Sequence, residues 1–358
     1  MKKIFISLLA VAALAACTKS EVKYETPGEI GFAPVTRNIT KAALGVDDHV
    51  YPTEQNVGVW SNYDGTVDPG TTVDYSTTFT TPYIADKQFT YHADANPASW
   101  AGVTPYFWPT NGSLVFAGYS LGIPTEAGKE AANICTSRSY DFKTDEMKFT
   151  GYTQSTNPNE TFDLLWFGRT ETSYNLRNQS AAVPVEFSHA LSWITIQVKG
   201  EGLVLDPDNT WSVTSVVINK VANTGNATCM GSGANAATWE GLGAQTNTIT
   251  VWSGDQPLTE DATPVETKDY GTLVIPQTPQ DLTIKYAYKT PAGEKIEEET
   301  TVSLSLTGAV DSDKNAITYT NWQSGTHYIY TLTFKQSEIL ISPTVEGWEE
   351  VNQSITVE

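Results

Sequence analysis

Four stretches of this chain alternate apolar and polar residues with a period of two: Ser192 to Lys199, Leu282 to Tyr288, Thr301 to Leu306 and His327 to Phe334. That period places successive side chains on opposite faces of an extended backbone, so each stretch predicts a strand with one face buried. The rest of the body is rich in Thr, Val, Tyr and Trp and is broken at short intervals by Asn, Gly, Pro and Asp. It has no long apolar repeat of helical period. The expected fold is all-β with few, short helices. Strands with one buried face need a second sheet to cover them, which predicts β-sandwiches. A chain of 358 residues has room for two.

The N-terminus follows a different logic. Met1-Lys2-Lys3 precedes an apolar run from Ile4 to Ala16, and the run ends in Leu14-Ala15-Ala16-Cys17. The run is shorter than the roughly 20 residues a spanning helix needs, so it reads as a signal that is removed. The small residues before Cys17 form a lipobox, and residues 1–16 are expected to be a lipoprotein signal peptide. Cys17 then becomes the lipidated, palmitate-bearing first residue of the mature protein. Residues 17–27 are polar, end in Pro27 and read as a tether. Glu29 to Val35 follows as a short strand, and Pro34 suits a sheet edge better than a centre. Residues 28–182 are expected to form the N-terminal sandwich and residues 183–358 the C-terminal one, with the junction at Gln179 to Ala182. Tyr106 to Tyr119 and Gly271 to Tyr288 both read strand, turn, strand, a weak internal repeat consistent with two similar domains.

The formal charge is −20, and removing a leader that carries Lys2 and Lys3 makes the mature chain more acidic still. Such a surface repels phosphate backbones and anionic lipid heads, so nucleic acid is excluded as a partner and membrane contact is expected through the lipid anchor alone. Gly118-x-Ser120-x-Gly122 has the spacing of a nucleophile elbow. However, Pro124 falls where the required helix should run, and Ser120 reads as a glycine-flanked strand end. His49, His92, His189 and His327 are scattered without metal-ligand spacing. Asp311 to Asn315 opens like a calcium loop but has Ala316 where a glycine is needed. No catalytic residue, metal or cofactor is expected. The compartment permits a disulfide, and the sequence leaves open whether Cys135 and Cys229 form one. Trp60, Trp211 and Trp252 are the candidate sugar-stacking platforms.

Several fragments, taken in order, resemble the fimbrillin-like lipoproteins that build type V pili. They are the lipobox at Cys17, Ile30-Gly31-Phe32 with Thr36-Arg37, and Trp108-Pro109 with Gly112, Leu114, Phe116 and Tyr119. Next come Asp163-Leu164-Leu165, Val185 to Leu191, Leu273 to Gln277, Trp322 with Gly325, Tyr328 and Tyr330, and finally Ile341 and Trp348. The resemblance implies two tandem transthyretin-like (Greek-key) β-sandwich domains and an outer-membrane, cell-surface lipoprotein that matures into a fimbrium serving adhesion. It also implies other pilus subunits as partners and assembly by donor-strand exchange after a protease removes the first strand. Arg37 is the best match to the processing position, with Lys41 second. The candidate donor strand is the C-terminal stretch carrying Ile339, Ile341, Val345, Val351, Ile355 and Val357, although few residues follow Trp348. The alternative is a surface glycan-binding lipoprotein that does not polymerise.

Overall fold

The computed structural model of the chain describes residues 28–36, 51, 53, 55–66, 73–94, 98–121, 135–172, 182–203, 211–231, 236–266, 272–290, 292–311, 313–335 and 339–347. Apart from one 3-10 turn at Pro158–Glu160, every regular element among them is a strand. The all-β expectation is met.

The first unit comprises β1 (Gly31–Thr36), β2 (Val57–Asp64), β3 (Thr81–His92), β4 (Ser99–Gly102), β5 (Ser113–Ser120), β8 (Leu165–Thr172) and β9 (Val183–His189). Their order is β1-β4-β3-β2-β5-β8-β9, and β9 pairs back onto β1, so the sheet closes into a barrel. Aromatic and branched side chains fill it, including Phe32, Val59, Phe89, Trp100, Phe116 and Phe187. Closure removes the free edges that an open sheet would have to protect.

The second unit is a sandwich. One sheet holds β10 (Ser192–Gly200), β15 (Thr263–Pro264), β16 (Thr272–Val274), β19 (Thr326–Phe334) and β20 (Ile339–Gly347). The other holds β11 (Ser212–Val221), β14 (Asn247–Pro257), β17 (Asp281–Lys289) and β18 (Lys295–Ser303). The alternation read from the sequence supplies the core between them. Ile194, Ile196 and Val198 on β10 and Tyr328, Tyr330 and Leu332 on β19 face Val216, Ile218, Leu282 and Ile284. Each fully buried side chain of this size contributes roughly 1.5–3 kcal/mol.

A third sheet joins the two units. The hairpin β6 (Ser137–Asp141) and β7 (Glu146–Thr153) is inserted between β5 and β8, and the hairpin β12 (Thr224–Met230) and β13 (Ala236–Glu240) between β11 and β14. An isolated hairpin is marginal in water. Here β7 and β12 pair, so each unit lends one hairpin to a four-stranded sheet, β13-β12-β7-β6. That sheet covers the outer face of β5: Phe149, Tyr152, Ala227 and Cys229 pack with Val115, Ala117 and Tyr119. This explains why all of Ser113–Ser120 is buried, since β5 is a strand with apolar cover on both faces.

Two Arg–Asp pairs fix the added sheet to the barrel, running in opposite directions. Arg138 on β6 meets Asp86 on β3 at 2.9 Å, and Arg169 on β8 meets Asp145 in the β6–β7 turn at 3.3 Å. Where the chain passes from β11 into β12, Gln277 holds the corner. Ala222 N donates to its Oε1 at 2.7 Å, and its Nε2 donates to Ala222 O at 3.0 Å.

Two expectations were placed differently by pairing. The division after residue 182 put Val183–His189 in the second domain, whereas β9 is hydrogen-bonded to β1 and β8. The change from first to second unit falls at Ala190-Leu191, between β9 and β10. Pro34 suggested an edge strand, yet β1 lies between β4 and β9. The proline is tolerated because β4 pairs only with Gly31 and Phe32, so at Pro34 only β9 runs alongside.

Candidate functional site

The strand that closes the barrel is the feature most unlike an ordinary structural element. The chain runs past the segment Tyr106–Trp108, where Trp108 N donates to Gly28 O at 3.0 Å and Ile30 N donates to Tyr106 O at 2.7 Å. It then crosses β4, with Gly31 opposite Ala101 and Phe32 opposite Trp100. A Cβ at Gly31 would lie 2.7 Å from Ser99 Oγ, so any other residue there has to displace that hydroxyl. From Phe32 to Thr36 the strand runs parallel to Val183–Phe187 of β9.

Alternate residues of this segment, Ile30, Phe32 and Pro34, are buried. The Phe32 ring sits edge-on to Phe89 at 5.0 Å and to Phe116 at 5.2 Å. Trp108 abuts Phe116 from the neighbouring side at 5.8 Å. The slot is thus lined by aromatic rings and bordered by the backbones of β4 and β9, which pair with β1. In this chain it holds β1 itself, through backbone pairing with β4 and β9 and through the buried alternate residues Ile30, Phe32 and Pro34.

Several residues singled out from the sequence fall elsewhere. Cys17, Arg37, Lys41, Val351, Ile355 and Val357 lie outside the described residues, as does His49. Ile339, Ile341 and Val345 belong to β20, which is paired along its whole length with β19, from Phe334 opposite Ile339 to Thr326 opposite Gly347. Val345 is buried in the second core. That part of the candidate donor stretch is therefore already a sheet strand of its own unit.

Ser120 is the last residue of β5, buried, with its hydroxyl donating to Gln55 Oε1 at 3.3 Å. Cys135 and Cys229 are buried and unbridged, and burial pushes both thiols up. His189 Nδ1 pairs with buried Asp163. His327 stacks on Trp193 at 3.4 Å, and burial pushes its pKa down to about 3. His92 sits beside Thr90 at 3.3 Å. Among the described residues no group of three or more His, Cys, Asp or Glu side chains could hold a metal. Asp311 to Asn315 is a turn that satisfies itself: Asn315 N donates to Asp311 Oδ1 at 2.7 Å. Trp60 packs on Tyr119 at 5.0 Å and Trp252 packs on the second core. Trp211 stacks on Tyr288 at 4.3 Å at a partly exposed end of the sandwich.

The aromatic lining of the slot was not legible from spacing alone, because Phe32, Phe89 and Phe116 are far apart in the chain. The alternation Ile30-x-Phe32 was its only local signal.

A family model described as fimbrillin-like matches residues 52–348. Among solved structures, a fimbrial protein from Bacteroides vulgatus is similar at 16% identity and TM-score 0.56, covering 90% of this chain and 99% of that one. A fimbrilin from Porphyromonas gingivalis aligns at 13% identity and TM-score 0.41, covering 92% and 99%. No curated protein matches. At such identity the first of these likenesses speaks for the fold, while the family match spans most of the chain.

Proposed function

The chain belongs to the fimbrillin-like family, and from that premise we propose that it is a structural subunit of a cell-surface pilus, without catalysis, that serves adhesion. On this reading it is exported to the outer membrane as a lipoprotein held through Cys17. A protease cuts after Arg37, or after Lys41 as second choice, and frees the anchor together with β1. A strand from a neighbouring subunit then fills the slot, and the two units act as tandem domains within the fimbrium.

The observation that carries this reading is the position of β1. It is the first described strand, it is paired on both sides, and its parallel pairing with β9 completes the barrel. Its loss leaves unpaired backbone groups on β4 and β9 and bares Phe89 and Phe116. Each buried, unsatisfied group costs roughly 1–3 kcal/mol, so the emptied slot strongly favours a replacement strand. The donor is the C-terminal stretch. Since Ile339–Gly347 already lies in the ladder with β19, that strand roots the donor and the following residues, with Val351, Ile355 and Val357, do the exchanging.

Limited trypsin treatment should nick near Arg37 and yield concentration-dependent oligomers, and deleting residues 349–358 should weaken them. A nicked protein that stays monomeric at high concentration overturns strand exchange. The Trp211–Tyr288 stack, with Tyr288 Oη donating to Glu298 at 3.2 Å, favours a second reading as a glycan-binding lipoprotein. Saturable oligosaccharide binding by a monomer, lost in Trp211→Ala, selects that reading.

A further inference from the structure

The two most exposed large apolar side chains among the described residues are Val103, 80% exposed, and Phe107, 47% exposed. They share one segment, between β4 and β5. No Asp, Glu, Lys or Arg occurs from Ala95 to Thr125, in a chain whose formal charge is −20. The segment itself is uncharged and partly apolar on an otherwise acidic molecule, and the one carboxylate bridged to it is the exposed Glu29 opposite Phe107.

The segment is held rigidly. Trp108 is buried in the barrel end, and Tyr83 Oη donates to Phe107 O. Trp108 N bonds Gly28 O, and Glu29 bridges Phe107. Phe107 is therefore held outward between the buried Trp108 and the half-buried Tyr106.

These bonds also show where the chain leaves the described structure. Gly28 lies against Phe107 and Trp108, so this is the end of the barrel from which the N-terminal segment departs. From Cys17 to Gly28 a fully extended chain reaches about 40 Å at most. A lipid on Cys17 thus keeps this end of the barrel within that distance of a leaflet.

We propose that in the lipid-anchored form the barrel end carrying Val103 and Phe107 docks on the lipid surface. Tyr83 and Tyr106 flank the two apolar tips with rings that are apolar in body and polar at the hydroxyl, a combination suited to the headgroup boundary. The contact is small, but tethering raises the local concentration of surface, so a weak contact suffices. A protein partner needs about 1,000 Å² of buried surface, more than two prominent side chains on a rim supply. The proposal rests on the reading of Cys17 as the lipidated residue.

The test uses the lipid-bearing protein in phosphatidylcholine vesicles. An environment-sensitive fluorophore is placed at Val103→Cys or, as control, at Leu242→Cys, on the chain just beyond β13. Cys135 and Cys229 are buried with thiols pushed up, so they do not compete for the label. The probe at position 103 should shift to the blue and be quenched several-fold more strongly by spin-labelled lipid than the probe at position 242. Adding Phe107→Asp should abolish that difference while the protein still floats with the vesicles. Equal quenching at the two positions, or a signal that survives Phe107→Asp, overturns the docking surface. Protein that fails to float at all overturns the anchor at Cys17, and the docking with it.

Discussion

β1 and β10 hold comparable places in the two units. Each opens its unit, and each lies parallel to a later strand. β1 matches β9 over five residue pairs, Phe32 to Thr36, while β10 matches β19 over eight, Trp193 to Gly200. On its other side β1 meets β4 at two positions, whereas β10 meets β16 at three and β15 at two. β1 contains a proline, Pro34, whereas β10 contains none. The same topological role is thus performed once by a short strand at the closing seam and once by a long strand at a sheet centre. The difference suggests that β1 can leave without unfolding the second unit and that β10 cannot.

The sharpest way to break that comparison is to charge both strands. Ile196→Asp puts an unpaired carboxylate into the second core, at a cost of several kcal/mol against a total stability of roughly 5–15 kcal/mol. It is expected to leave no cooperatively folded protein. Phe32→Asp should instead expel β1, making the N-terminal segment sensitive to protease while the second unit keeps its thermal transition. A single transition lost equally in both variants contradicts the comparison.

A milder change calibrates the seam. Phe32→Ala removes a ring that contacts Phe89 and Phe116 and should cost about 3–5 kcal/mol. Denaturant unfolding should register this as a lower midpoint of the barrel transition. If the slot accepts a replacement strand, an added peptide that supplies a large apolar residue at this position should restore part of the loss.

The smallest effect concerns the β10–β19 pair. His327 lies on Trp193 across it and is held neutral by burial, with its pKa lowered from 6.5 to about 3. Between those values the unfolded chain binds a proton that the folded chain does not, so stability falls as pH drops from 6.5 toward 3. The loss is roughly 2–3 kcal/mol by about pH 4.5. His327→Gln should flatten that slope in the second unit and leave the barrel's acid response unchanged.

The second core was largely legible in advance. Ile194, Ile196, Tyr328, Tyr330, Leu282 and Ile284 are buried as their alternation required. The Thr301–Leu306 stretch also keeps its inward face, although the strand itself runs Lys295–Ser303 and only Leu304 and Leu306 continue inward beyond it. The brace between the units was not legible. β6, β7, β12 and β13 are short hairpins whose partners lie in the other half of the chain, and no local pattern names a partner. Asp145 is a further case. As a turn residue at φ 57° it looks like ordinary loop chemistry, yet it is buried against Arg169 and Tyr140.

By itself, then, the sequence determined the strand period, the buried faces of β10, β17 and β19 and the family to which the residues point. These are local properties, set by the covalent alternation of side chains and by short motifs. Only the tertiary structure decided that β9 returns to β1 and closes a barrel, and that Pro34 lies inside a seam. The same holds for the hairpins that join the two units through one shared sheet. Pairing between strands far apart in sequence depends on which backbones meet in space and on the loop closure that brings them together, and a one-dimensional pattern carries neither.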